Sequence, residues 1–217
     1  STEIQESASK FICATDGEWP AKVNDLLNPP IGLIISGQIE NWELVKNSIS
    51  IVGTRNPTNY GARVASEFAS GLGDRQVAVI SGGALGIDSA AHYGALAAEG
   101  LTVAILAGGI AKPYPLSNSR LFSEIKEKGI LISESLPSDP ALPHRFLIRN
   151  RLIAALSKGT LVVEAAFRSG SLRTARDASE LLRPVFAIPG PINSPQSQGC
   201  HRSEEHTSEL QSRETIS

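Results

Sequence analysis

Arg55, Arg145 and Arg149 stand close to glycine- and serine-rich turns in a chain whose formal net charge is only −2. A guanidinium group so placed suits two-pronged contact with phosphate. Three runs of apolar β-formers end in such turns: SISIVGTR (48–55), VAVISGGALGID (77–88) and LVVEAAFRSGS (161–171). A strand that hands a glycine turn to a helix presents unpaired backbone N–H groups and the positive end of a helix dipole at one point, which favours anions. Taken alone, each turn is a tight strand-to-helix connection. Together, with Gly53, Gly82, Gly83 and Gly170 and the hydroxyls of Thr54, Ser81, Ser169 and Ser171 around them, they predict a phosphate-lined crevice. GGALG lacks the full GxGxxG spacing and no GxxxxGK[ST] loop occurs, so no nucleotide cofactor is expected.

The segment HRFLIRNRLIAALS (144–157) carries the second signal. On a helix, Ile148, Leu152, Ala155 and Leu156 form an apolar stripe, while Arg145 and Arg149, four apart, share a face. Arg151 falls about 200° around from Arg149 at ~100° per residue, so one of the two is expected to be structural, paired with Glu134 or Glu164. Phe146 either enters the core or offers its face to an unstacked base, a contact indifferent to sequence. Between residues 144 and 176 seven basic residues (Arg145, Arg149, Arg151, Lys158, Arg168, Arg173, Arg176) meet one acid, Glu164. Residues 202–217 hold two basic and four acidic residues, so the rest of the chain has 18 of each sign and a local basic excess is what nucleic-acid binding would require.

Signals for catalysis are thin. Asp88 and His92 lie four apart on one expected helix, an acid/base spacing that equally suits a dipole or capping contact. Glu164, at a strand end, is the one carboxylate worth testing for chemistry. Cys13 and Cys200 belong to no CxxC or His/Cys cluster, so two reduced thiols and no metal site are expected.

Six strands are expected to position these residues, at 48–53, 77–81, 102–106, 130–133, 160–164 and 185–188, with helices at 61–72, 88–99, 117–128, 146–157 and 171–182. Several strands are near-continuous Val, Ile, Leu and Ala, as in parallel strands covered on both faces. The expected fold is therefore α/β: an open, doubly wound, mostly parallel Rossmann-like sheet, with ligands at the carboxyl ends of its strands. Residues 1–47 are expected to form an approach segment, an extension that includes a short strand at IGLIISGQ (31–38). Residues 48–201 make the domain. The segment RSEEHTSELQS, from Arg202, lacks apolar periodicity and resembles translated sequencing-adapter sequence, so 202–217 is expected to be a non-native tail. The chain contains no methionine, even at position 1, and is expected to be a fragment. At 217 residues and 41% hydrophobic it suffices for one α/β domain. With no apolar run near the roughly 20 residues that cross a bilayer, and no leader, a cytoplasmic protein without membrane contact is expected.

The series IVGTR, VISGGALGIDSAAH, AGGIAKPYPLSN, LISES, RFLIRNRLIAALS, LVVEAAFRSGSLRTA and VFAIPGPINSPQSQGCHR resembles the DNA-processing protein A family, also called DprA or Smf. The resemblance runs from about Trp19 to Arg202. It implies an extended Rossmann-like domain that binds single-stranded DNA without sequence preference, acts as a homodimer and is not an enzyme. It further implies receipt of incoming DNA in natural transformation and loading of the RecA recombinase. Carried over, the phosphate pocket is Gly53, Arg55, Ser81, Gly82, Gly83, Lys112 and Arg149, with Ser169, Gly170 and Ser171 nearby and Phe146 on a base. Leu182-Arg183 departs from the family's usual Gly-Arg before the last strand, and the fragment is expected to lack the last part of the family's fold and any N-terminal helical or C-terminal winged-helix domain. Two other functions stay open. One is a phosphoribohydrolase-like nucleotide enzyme on a related sheet, against which EAAFRSGSLRTA supplies no Glu at the PGGxGTxxE spacing; the other is a bare dimerisation module.

Overall fold

Valine, isoleucine and leucine alternate little within the strands, and every residue of Ala78–Ser81, Thr102–Ile105, Ile130–Ser133 and Thr160–Val163 is buried. A strand covered on both faces has no reason to alternate. The computed structural model describes residues 9–166, 169–190 and 199–200. Eight strands form one sheet: Lys10–Cys13 (β1), Gly32–Gly37 (β2), Ser48–Gly53 (β3), Ala78–Ser81 (β4), Thr102–Ile105 (β5), Ile130–Ser133 (β6), Thr160–Val163 (β7) and Val185–Ala187 (β8). The helices are Asn59–Gly73 (α1), Ile87–Ala97 (α2), Ser119–Lys128 (α3), Pro143–Leu156 (α4) and Gly170–Glu180 (α5).

The order across the sheet is β1-β2-β6-β5-β4-β3-β7-β8. From β3 to β8 all pairs are parallel, while β1 and β2 add antiparallel at the β6 edge. Winding therefore runs outward from β3 through β6 and then restarts on the other side with β7. That reversal puts a topological switch point between the carboxyl ends of β3 and β7, the usual place for a ligand crevice.

Helices α1, α2 and α3 cover one face through Ala65, Ala69, Ile87, Ala91, Leu121, Phe122 and Ile125. The opposite face holds α4 and α5 together with Trp19, Val23, Trp42 and Val45 from the first 47 residues. The N-terminal segment is thus the second layer over β5, β6 and β2, and β2 pairs directly with β6. Thr58 caps α1 by accepting from the Gly61 N–H at 3.1 Å, and Pro143 opens α4, where no helical donor is lost.

All six strands expected from residue 48 onward form within one residue of their expected bounds, and all five helices within three. The strand expected within 31–38 is β2. The edge strand β1 has no counterpart in the sequence reading, because KFIC carries too short an apolar run. One detail of α4 needs correction: Leu152, Ala155 and Leu156 are buried, but Ile148 is 46% exposed and lies off the stripe. Residues 202–217 lie outside the described residues, as do Arg168 and the whole PINSPQSQ stretch.

Candidate nucleic-acid interface

The turns after β3 and β4 meet with little room between them. A side chain at Gly53 would strike the Val163 carbonyl and Ile87, and one at Gly86, whose φ is +83°, would strike the backbone of Thr54 and Arg55. The Ile87 N–H, first on α2, is donated to the Thr54 carbonyl at 3.1 Å. Glycine is required here for close approach of two backbones.

Internal groups occupy several donors of these two turns. The Asp88 carboxylate accepts from the Gly82 N–H at 3.1 Å and the Ala84 N–H at 3.4 Å. Glu164, buried at the end of β7, accepts from the Thr58 N–H at 2.8 Å and from the Thr58 hydroxyl, and lies where a Gly61 side chain would be. A carboxylate at the first turn of α1 suits the dipole. Of the expected roles, Asp88 takes the capping-type contact, and Glu164 fixes the loop that carries Arg55. His92 is fully buried, with Nδ1 2.7 Å from the Thr102 hydroxyl. Because Thr102 donates to the Val79 carbonyl at 3.1 Å, His92 donates through Nδ1. Burial, then the charge of Arg149, holds its pKa down to about 3, so His92 is neutral and away from any acid/base role.

The expected wall residues divide by depth. Arg149 is only 5% exposed, and its Nη1 donates to the carbonyls of Gly82, at 2.6 Å, and Ile105. Burial, followed by the neighbouring Arg55, lowers its pKa to about 10 while Asp88 opposes the shift. Asp88 is pushed up by burial, with Arg149 the main counterweight. Arg149 therefore stands beneath the Gly82 turn as a strut, and the face it shares with Arg145 does not bring both to the surface. Ser81 is likewise buried and donates to the Ile51 carbonyl at 2.6 Å, so its hydroxyl does not line the crevice. Gly82 and Gly83 are buried as well.

The basic excess of 144–176 is partly cancelled by three carboxylates outside that window. Arg145 pairs with Asp139 at 2.9 Å, Arg151 with Glu134 at 2.5 Å and Arg173 with Asp177 at 2.8 Å. Arg151 is thus the structural member of its pair, through Glu134. Lys158 donates to the Asn47 side chain at 2.9 Å, and Arg168 lies outside the described residues.

What remains at the mouth is small and distinct. Arg55 is exposed, with its guanidinium carbon 5.6 Å from the centre of the Phe146 ring. The Tyr114 ring meets Phe146 edge-to-face, centroids 5.8 Å apart and planes at 72°. Lys112 is exposed two residues before Tyr114. Among the described residues no carboxylate pairs with Arg55 or Lys112. Phe146 is half-buried, neither a core residue nor a free ring. At the third turn the Ser169 and Ser171 hydroxyls lie 2.8 Å apart, Gly170 is exposed, and no internal carboxylate caps α5 among the described residues. Tyr114 was missed from sequence, although an aromatic between Pro113 and Pro115 in the loop following β5 was a usable signal. Among the described residues no group of His, Cys, Asp and Glu could hold a metal, and no helix is long and apolar enough to cross a membrane.

The sequence pattern of the DNA recombination-mediator protein A family matches residues 10–216. The chain belongs to that family. Among relatives of the DNA recombination-mediator protein A family, a putative DNA processing protein DprA of Mycobacterium tuberculosis is 42% identical over 97% of this chain and 57% of its own length. Protein Smf of Escherichia coli is 39% identical over 90% of this chain and 52% of its own. The chain thus spans somewhat over half of these two relatives. The solved structure of DNA processing protein A from Streptococcus pneumoniae superposes with a TM-score of 0.87 at 35% identity, over 94% of this chain and 71% of that one. That from Helicobacter pylori, solved for its single-stranded DNA binding mode, gives 0.82 at 29% identity over 93% and 90%. A molybdenum cofactor binding protein of Rippkaea orientalis, 18% identical with a TM-score of 0.53, shares the fold alone.

Proposed function

We propose that this chain binds single-stranded DNA, without base preference, at the mouth formed by Arg55, Phe146, Tyr114 and Lys112, and serves as a non-enzymatic recombination mediator. The observation that carries it is the Arg55 guanidinium, which pairs with no carboxylate among the described residues, beside Phe146 at the switch point of the sheet. An unneutralised cation next to an aromatic ring offers one group to a phosphate and one to a base, which is how single strands are held without reading sequence. Gly53, Gly82 and Gly83 shape the floor, Arg149 supports it, and Ser169, Gly170 and Ser171 border it on the β7 side. Arg145, tied to Asp139, sets the start of α4 beneath Phe146. Family membership supports the wider role: a homodimer in the cytoplasm that receives incoming DNA in natural transformation and loads RecA onto the strand. Glu164, engaged by Thr58, gives no support to a hydrolytic enzyme.

The test is a salt titration of binding to oligo-dT and to a duplex of equal length. The expected result is tighter binding of the single strand, because bases in a duplex cannot reach the rings. Arg55→Ala is expected to weaken oligo-dT binding and to reduce the salt slope by about 0.7, the value for one phosphate contact on a single strand. Equal affinity for the two DNAs, or an unchanged slope in Arg55→Ala, would overturn the proposal.

A further inference from the structure

Phe146 is the ring at which the family resemblance places a base, yet it is only half-buried surface, with Arg55 over one part of it and Tyr114 against another. The larger free aromatic surface belongs to Tyr114, which is 54% exposed. Single exposed aromatics are common and need no explanation. This one is packed against a second ring that itself carries the Arg55 guanidinium, at the carboxyl end of the sheet.

Its loop is also fixed. Gly109 and Ala111 donate backbone N–H groups to the carbonyls of Asp139 and Pro137, each at 2.9 Å. Beyond the tyrosine, Asn118 donates to the Gly83 carbonyl at 3.0 Å and to the Ser89 hydroxyl at 2.8 Å. The loop is thus tied on one side to the segment leading into α4 and on the other to the glycine turn after β4. A ring held this way loses little freedom when something stacks on it.

We infer that Tyr114 is a second base-stacking surface of the mouth, so that the site takes two neighbouring bases of a strand, one on each ring. This rests on the single-stranded DNA proposal above. The two ring planes stand at 72°, so bases lying on them cannot remain stacked on each other. Accommodation is therefore easiest for strands whose own stacking is weak, an effect of strand flexibility that involves no reading of base edges.

The experiment compares wild type, Tyr114→Ala and Tyr114→Phe for binding to oligo-dT and to an abasic strand of the same length. Tyr114→Ala is expected to weaken oligo-dT binding by about five- to 160-fold, the span of one stacked base. It should leave abasic affinity and the salt slope unchanged, and Tyr114→Phe should keep wild-type affinity. Retained oligo-dT affinity in Tyr114→Ala would overturn the inference, as would an equal loss on both strands, which would mean that the ring acts through its loop. Equal wild-type affinity for oligo-dT and the abasic strand would remove both ring contacts while leaving phosphate binding. Failure of the wild type to bind either strand would retire the functional proposal itself.

Discussion

Arg149 shows how far a residue's role depends on its depth. A guanidinium beneath the Gly82 turn, donating to two carbonyls beside the buried Asp88, cannot be removed without leaving those groups unpaired. Arg149→Ala is therefore expected to lower stability by on the order of 3 kcal/mol in urea unfolding, while protein that remains folded keeps the wild-type salt slope of DNA binding. Arg55→Ala should do the reverse. His92 adds a pH dependence. Its folded pKa of about 3 lies below the ordinary 6.5, so on acidification the unfolded chain binds a proton that the folded chain refuses. Stability contributed by neutral His92 is present above pH 6.5 and is lost as pH falls below it, at up to about 1.4 kcal/mol per pH unit. Asp88, raised by burial, works the other way, since the folded state takes up its proton first. Urea unfolding of His92→Gln between pH 6.5 and about 4.5 should lose the acid-side decline seen in wild type.

Three of the helix-to-strand turns share one arrangement at the scale of elements. α1, α2 and α5 each end with a non-glycine residue in the left-handed region: Gln76 at φ +55°, Glu99 at +53° and Leu182 at +55°. In each, the residue after it donates back to a carbonyl five positions earlier, as Arg183 does to Ala178 at 2.9 Å. That is the arrangement in which glycine is preferred. Leu182 is 85% exposed and has little packing to lose. Leu182→Gly is expected to stabilise the chain by about 1 kcal/mol, visible as a rise in Tm. Strands were legible because burial on both faces leaves an unbroken apolar run, as in Val77 to Ile80. The four-residue edge strand β1 was not, because pairing with β2, rather than its own composition, makes it a strand. Helical periodicity likewise placed Arg145 and Arg149 on one face without saying that α4 carries the second under the sheet's edge.

The whole molecule explains the rest of what sequence left out. The basic excess of 144–176 was counted along the chain, but Glu134, Asp139 and Asp177 reach it in space, and the charge beside Phe146 comes from Arg55 on another loop. Arg55 was visible in sequence because it follows a strand directly; Tyr114 was not singled out, since only the fold brings the loop after β5 to α4. Sedimentation velocity across a concentration series, with and without oligo-dT, checks the proposed homodimer: a species of twice the chain's 23.0 kDa is expected. The carboxylates of Asp88 and Glu164 matter at this scale as well. Each already fills a place at a glycine turn or helix start that a lone phosphate would otherwise seek. The free nucleotides of a cell, however abundant, then find these places after β3 and β4 already taken and are left with the few side chains of the mouth. A polymer passing over the same turns gathers many such contacts at once, and the mouth can stay open to strands in a solution crowded with monomers.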